Sequence, residues 1–235
     1  WAVEAGAPLR VLRIDGAEAL RHQPRSEFEK QSRRARYQAY REAMAESSAS
    51  AVLMGHHRDD TVENIMDNLV MGRSLFNVAV MPVEACIEGV PVWRPLAGLG
   101  KKEIRGFARR QRVPHLRDND YPGAKRIVWR SDIIPTLSQK LGDRALDNIM
   151  RVGQGAMDWK VLIDRFILGP FSDGVRYFAY GAVVPFGQHA GSPASFWEEA
   201  LVGVFHRMGS GTLKKGAVDT LAAAIRSRRP TLVHA

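Results

Sequence analysis

The sequence predicts an α/β protein in two parts: a partial parallel sheet flanked by helices over residues 1–142, followed by a mainly helical domain over residues 143–235. Three observations carry this. Short apolar runs bounded by turn residues alternate with helical patterns in the first half, as in parallel sheets. The long helical stretch there, Glu27 to Glu46, is free of Gly and Pro. After Ile133, helical patterns succeed one another without an intervening strand, which sets the boundary near Gly142.

The opening WAVEAGAP reads as the tail of a helix and a turn, so the chain is expected to begin inside a longer protein. Residues Pro8 to Gly16 hold Leu9, Val11, Leu12 and Ile14 between a proline and a glycine, which predicts a strand. From Glu27 to Glu46 the chain is rich in Arg, Glu, Ala and Gln, a helix composition. Ala51 to Gly55 is too short for a helix and unbroken in apolarity, which predicts a strand covered on both faces. Helix follows at Asp59 to Met71, an extended segment at Val90 to Leu96, and helix again at Lys101 to Gln111. Beyond Ile133 the pattern predicts helices at Pro135 to Lys140 and Asp143 to Phe166. A strand at Arg176 to Phe186 and helices at Ser195 to Met208 and Lys214 to Arg226 complete the chain. Gly209-Ser210-Gly211-Thr212 reads as a turn ahead of the last helix rather than a phosphate loop. Tyr37 and Tyr40 are expected to pack on the sheet, and Trp197 and His206 between helices.

With 235 residues and 45% hydrophobic content, the chain can bury one sizeable core or two small ones. Its formal charge of +9 favours phosphate-rich partners, although a basic surface without such a role fits charge alone equally well. The single cysteine, Cys86, excludes an internal disulfide and a cysteine-rich metal site. No run approaches the ~20 apolar residues that span a bilayer, so no membrane partner is expected.

Chemistry concentrates in Gly55-His56-His57-Arg58-Asp59-Asp60-Thr61-Val62-Glu63-Asn64, where a predicted strand passes into a helix. Ligands of open α/β sheets bind outside the carboxyl ends of strands. An imidazole and three carboxylates there can orient a cationic amine, hold Mg²⁺ beside a nucleotide, or accept a proton. The same residues also suit a helix start, because Asp60-x-x-Glu63 satisfies a capping box and acidic groups favour helix N-termini. The residues alone leave both readings open.

Several segments in order resemble the tRNA(Ile)-lysidine synthetases of the PP-loop ATPase family. His57-x-Asp59-Asp60-x-x-Glu63 is similar to H-x-D-D-x-x-E-T, with Asn64 in place of Thr. Glu29 to Tyr37 resembles E-x-x-A-R-x-x-R-Y, with Ser32 in place of Ala. Arg94-Pro95-Leu96 matches R-P-L, and a K-x-E-I-like helix start follows at Lys101 to Ile104. Asp118 resembles the Asp of D-x-S/T-N, and Arg126, Arg130 and Pro135 resemble R-N-x-x-R-x-x-x-x-P. Ile127 and Asn119-Asp120-Tyr121 depart from those patterns.

The resemblance implies a PP-loop (adenine nucleotide alpha hydrolase-like) domain followed by a helical tRNA-binding domain. It implies ATP-dependent ligation of lysine to C2 of the wobble cytidine of an isoleucine tRNA, through an adenylated intermediate. Asp59, Asp60 and Glu63 would be catalytic. Arg33, Arg36, His57, Arg94, Asp118, Arg126 and Arg130 would bind substrate or tRNA, with Lys214, Lys215, Arg226, Arg228 and Arg229 gripping tRNA from the tail. ATP and Mg²⁺ are the implied cofactors; tRNA(Ile), lysine and a second copy in a homodimer are the implied partners. The cytoplasm is the implied compartment, with plastid stroma as alternative. No S-G-G-x-D-S phosphate loop occurs in the sequence, so no cofactor-binding or metal residue is assigned, and this chain alone is expected neither to bind ATP tightly nor to form lysidine. Two alternatives stand beside this reading: a PP-loop tRNA thiolase, against which the lone Cys86 argues, and a non-catalytic tRNA-binding remnant.

Overall fold

The computed structural model describes residues 3–12, 25–79, 81–115, 127–142, 144–209 and 215–227. The chain divides into two compact units, Trp1–Gly72 with Val78–Val152, and Arg73–Asn77 with Gly153–Ala235.

The first unit is organised around α1 (Arg25–Ser47) and a three-stranded sheet. Strands β1 (Val52–Leu53), β2 (Glu84–Ile87) and β3 (Val90–Trp93) stand in the order β1-β3-β2. The sheet is mixed rather than purely parallel: β1 runs parallel to β3, with Val52 opposite Val92, and β2 runs antiparallel to β3. The reason is a hairpin that the sequence reading did not foresee. Glu88 and Gly89 both adopt positive φ, at 52° and 77°, the conformation that matches a two-residue turn to the twist of its strands.

Side chains alternate across a sheet, and this one is packed on one face only among the described residues. Val90 and Val92 are fully buried against Tyr37 of α1, with Val52, Ile87 and Tyr40 alongside, as expected for the two tyrosines. The opposite face presents Leu53, 68% exposed, beside Trp93, 45% exposed. The expectation that the Ala51 to Gly55 strand is covered on both faces is therefore corrected. Cys86 also lies exposed. In the segment expected to form a strand at Pro8 to Gly16, residues 8–12 are irregular, with Leu9 and Val11 exposed and no ladder partner among the described strands. Its remainder lies outside the described residues.

Helix α2 (Arg58–Val70) buries Val62, which meets Trp129, Ile134 and Leu146, with Met66 packed alongside. Helix α3 (Lys101–Arg110) starts where Gly100 N–H donates to Glu103 at 2.7 Å. The chain then enters a wide π-helical turn, Val128–Ile133, continuous with α4 (Ile134–Leu141). Ile134 N–H reaches back five residues to Trp129 O, and the next residue, Pro135, lacks the N–H that a regular α-turn requires. Gly142 ends α4 at φ 81°. Helix α5 (Arg144–Ile163) continues the first unit beyond Gly142 to Val152, because Leu146, Ile149 and Met150 pack with Val62 and Trp129.

In the second unit a π-helical turn, Asp164–Leu168, again precedes a proline, Pro170 in α6 (Gly169–Asp173). A Cβ at Gly169 would lie 2.9 Å from Asp164 O, so glycine is required for that close turn. The single strand expected over Arg176 to Phe186 is a hairpin, β4 (Arg176–Phe178) with β5 (Gly181–Val183), folded about a fully exposed Tyr180. Helices α7 (Ala194–Arg207) and α8 (Lys215–Ser227) close a core of Phe171, Trp197, Leu201, Val204, Val218 and Ala222. Trp197 is fully buried as expected, whereas His206 is exposed and does not pack between helices. No helix among the described residues is long and apolar enough to cross a membrane.

Candidate active site

The segment after β1 builds the site from its backbone outward. His57 is extended (φ −125°, ψ 176°) and stops the strand direction, and Arg58 begins α2 with its N–H donating to Leu99 O at 2.9 Å. A reciprocal cap then forms. Asp60 N–H donates to His57 Nδ1 at 3.3 Å, and His57 N–H donates to Asp60 Oδ2 at 3.0 Å. The capping box thus runs from His57 to Asp60, one turn ahead of the Asp60-x-x-Glu63 box that the sequence offers.

Capping uses one oxygen of Asp60, and the other faces a cation. Arg130 donates from Nη2 to Asp60 Oδ1 at 2.8 Å and from Nε to Glu63 Oε1 at 2.6 Å. Asp60 and Glu63 stand three apart on α2, so one planar guanidinium spans both. The cluster is sheltered, with side-chain exposures of 20% for Arg130, 12% for Asp60 and 6% for Glu63. The π-helical turn carries Arg130 into this position while its neighbour Trp129 is buried and donates from Nε1 to Asp67 at 3.3 Å. Sequence separations of 67 and 70 residues hide these contacts from any local pattern.

Asp59 makes its contacts with other groups. Its Oδ1 lies 3.4 Å from Lys101 N, at the positive end of α3, and 3.9 Å from Arg58 Nε. Arg58 in turn reaches Asp147 at 3.1 Å, tying α2 to α5. Between α2, α3 and the π-helical turn lies a cavity of about 350 Å³ lined by Asp59, Glu63, Lys101, Arg105, Arg130 and Ser131, with Ile127 and Ile134 as its apolar wall. Carboxylates and cations therefore face one small space, an arrangement able to hold an ammonium group and take a proton from it.

The residues implied by resemblance separate into groups. His57, Asp59, Asp60, Glu63 and Arg130 come together. Arg33 is elsewhere, donating to Glu88 at 2.7 Å and stacking 4.9 Å from the Tyr37 ring centroid, so it braces the hairpin on α1. Arg36 is exposed on α1. Arg94 is 3% exposed; its Nη1 donates to Pro82 O at 2.6 Å, and its buried Nε has no hydrogen-bond partner among the described residues. Burial pulls its pKa below the usual arginine value, partly offset by Tyr37. Asp118 and Arg126 lie outside the described residues, as do Lys214, Arg228 and Arg229. Sequence reasoning did not single out Arg105 or Ser131 as site residues, and Lys101 entered only as a helix start. The signal for Arg105 was its spacing, four residues after Lys101.

Comparison with known proteins places this geometry in context. The PP-loop domain family matches residues 2–137. The chain is 32% identical over 181 residues to the tRNA(Ile)-lysidine synthase of Salinispora arenicola, covering 75% of this chain and 52% of that protein. It is 32% identical over 118 residues to the enzyme of the same name from Pseudomonas syringae pv. tomato, covering 49% and 26%. A relative of that name from Staphylococcus aureus is 29% identical over 133 residues, covering 56% and 30%. The chain thus spans about half, or less, of the length of the curated relatives it matches.

Proposed function

Since this chain belongs to the PP-loop domain family, we propose that it forms part of a tRNA(Ile)-lysidine synthetase and that the cavity beside Asp59, Glu63 and Arg130 receives the amine donor. The names of its relatives support the reaction class, and the observation that carries the site is the double grip of Arg130 on Asp60 and Glu63.

In that reaction the cytidine O2 bonds to the α-phosphorus of ATP and pyrophosphate leaves. The lysine side-chain amine, having lost a proton, then forms a bond to C2 while the C2–O2 bond breaks and AMP departs. A carboxylate within reach of the ammonium supplies both attraction and a proton acceptor. Glu63 and Asp59 line the cavity and suit that task. Arg130 acts by holding Asp60 and Glu63 in one orientation, and His57 by fixing Asp60 through the cap. Domain 1–142 would thus carry catalysis and 143–235 would assist in holding tRNA.

The described residues do not form an all-protein metal cage. No group of three His, Cys, Asp or Glu side chains converges among them, and Asp60 and Glu63 are joined to Arg130.

The test is ATP-dependent transfer of labelled lysine to tRNA(Ile) by the protein carrying this chain. Incorporation that requires ATP and tRNA(Ile) is the expected result. Absence of incorporation, with the protein folded and tRNA bound, would overturn the reading.

A further inference from the structure

The cavity beside α2 is divided by charge. Asp59 and Glu63 project from α2 on one side, and Lys101 and Arg105 project from α3 on the other. Lys101 and Arg105 are four residues apart, so one helical turn brings them to the same face. Arg130 stands between the two sides, already paired with Asp60 and Glu63. A phosphate entering here would meet three cations, Arg130 among them already committed to Asp60 and Glu63, but also two carboxylates, and like charges opposite one another disfavour a partner. A zwitterion meets complementary charge on both sides. The volume of about 350 Å³ suits a small molecule.

We propose that Lys101 and Arg105 recognise the carboxylate of a free amino acid, so that the site takes its amine donor as a zwitterion with the nucleophilic amine directed to Asp59 and Glu63. This deepens the amine-transfer reading and rests on it. A guanidinium presents two parallel N–H donors that match a carboxylate, while Lys101 adds a point charge at the start of α3. Selection then falls on the carboxylate, a group the reaction itself never touches.

The experiment compares lysine with lysinamide as amine donors for the wild-type protein that carries this chain, and for its Arg105→Met and Lys101→Met variants, with Arg105→Lys as the conservative variant. The wild type should favour lysine by about tenfold in kcat/KM, the size of one charge-assisted hydrogen bond. Arg105→Met should reduce that preference by about fivefold or more, through a raised KM for lysine with lysinamide unaffected. Arg105→Lys should restore part of it. Binding of tRNA to each variant, measured without lysine, separates carboxylate recognition from tRNA contact. An unchanged lysine-to-lysinamide ratio in both methionine variants, or a loss explained by weaker tRNA binding, would overturn the inference and leave amine transfer standing. Failure of the wild type to ligate either donor would instead overturn the amine-transfer reading, and this inference with it.

Discussion

The Nε of Arg130 lies 2.6 Å from Oε1 of Glu63, a carboxylate with only 5% of its residue surface exposed. The pair joins a π-helical turn to the second turn of α2, and Asp60 shares the same guanidinium at 2.8 Å.

Removing the cation takes a shared guanidinium away from two sheltered carboxylates. Arg130→Met is expected to lower stability by about 1–3 kcal/mol, the range for losing charge-assisted hydrogen bonds, and to lower lysine transfer at least tenfold. Thermal unfolding and a transfer assay on the same preparation check both. Wild-type stability in Arg130→Met would mean that the contact contributes little to the fold.

Asp60 has two tasks, and substitutions can divide them. Asp60→Asn keeps an oxygen to accept from His57 N–H, so the helix start should survive with a loss of less than about 1 kcal/mol. Asp60→Ala removes the cap as well and should cost about 1–2 kcal/mol. Both should lose at least tenfold in transfer rate, equivalent to about 1.4 kcal/mol of transition-state stabilisation. Activity within twofold of wild type in Asp60→Asn would reduce Asp60 to a cap.

Much of this was legible locally and some was not. The Gly- and Pro-free run of α1 and the apolar-to-acidic junction at Gly55 to Glu63 announce themselves through periodicity and helix-start chemistry. Strand β2 did not, because Glu84-Ala85-Cys86-Ile87 has a single β-branched residue, and its evidence lay in the Glu88-Gly89 turn. The grip of Arg130 was beyond reach for another reason: both partners were named, but their contact depends on a widened turn ahead of Pro135. Exposure of Leu53 was missed because an unbroken apolar run does not say which sheet face finds a cover.

Arg94 resembles a substrate-binding residue in sequence, yet its side chain is buried and donates to Pro82 O. Arg94→Ala should destabilise the protein by about 1–3 kcal/mol through the unpaired carbonyl, while tRNA affinity stays within twofold. A large drop in tRNA affinity at unchanged stability would restore the substrate-binding role.

The formal charge of +9 predicts that tRNA binding is carried by phosphate contacts. Affinity should fall steeply between low and moderate salt, with a linear dependence on the logarithm of salt concentration. Binding that is insensitive to salt, or absent at low salt, would remove nucleic acid from the account of this charge.

The central claim is that Asp59, Glu63 and Arg130 serve the amine-transfer step. It is tested most directly by separating the two half-reactions in Glu63→Gln, a substitution that preserves shape and removes the carboxylate. With ATP and tRNA(Ile) alone, pyrophosphate release should remain within about threefold of wild type, while lysine transfer from the preformed adenylate should fall by at least tenfold, or about 1.4 kcal/mol. Equal loss in both steps, or transfer at the wild-type rate, would contradict the account.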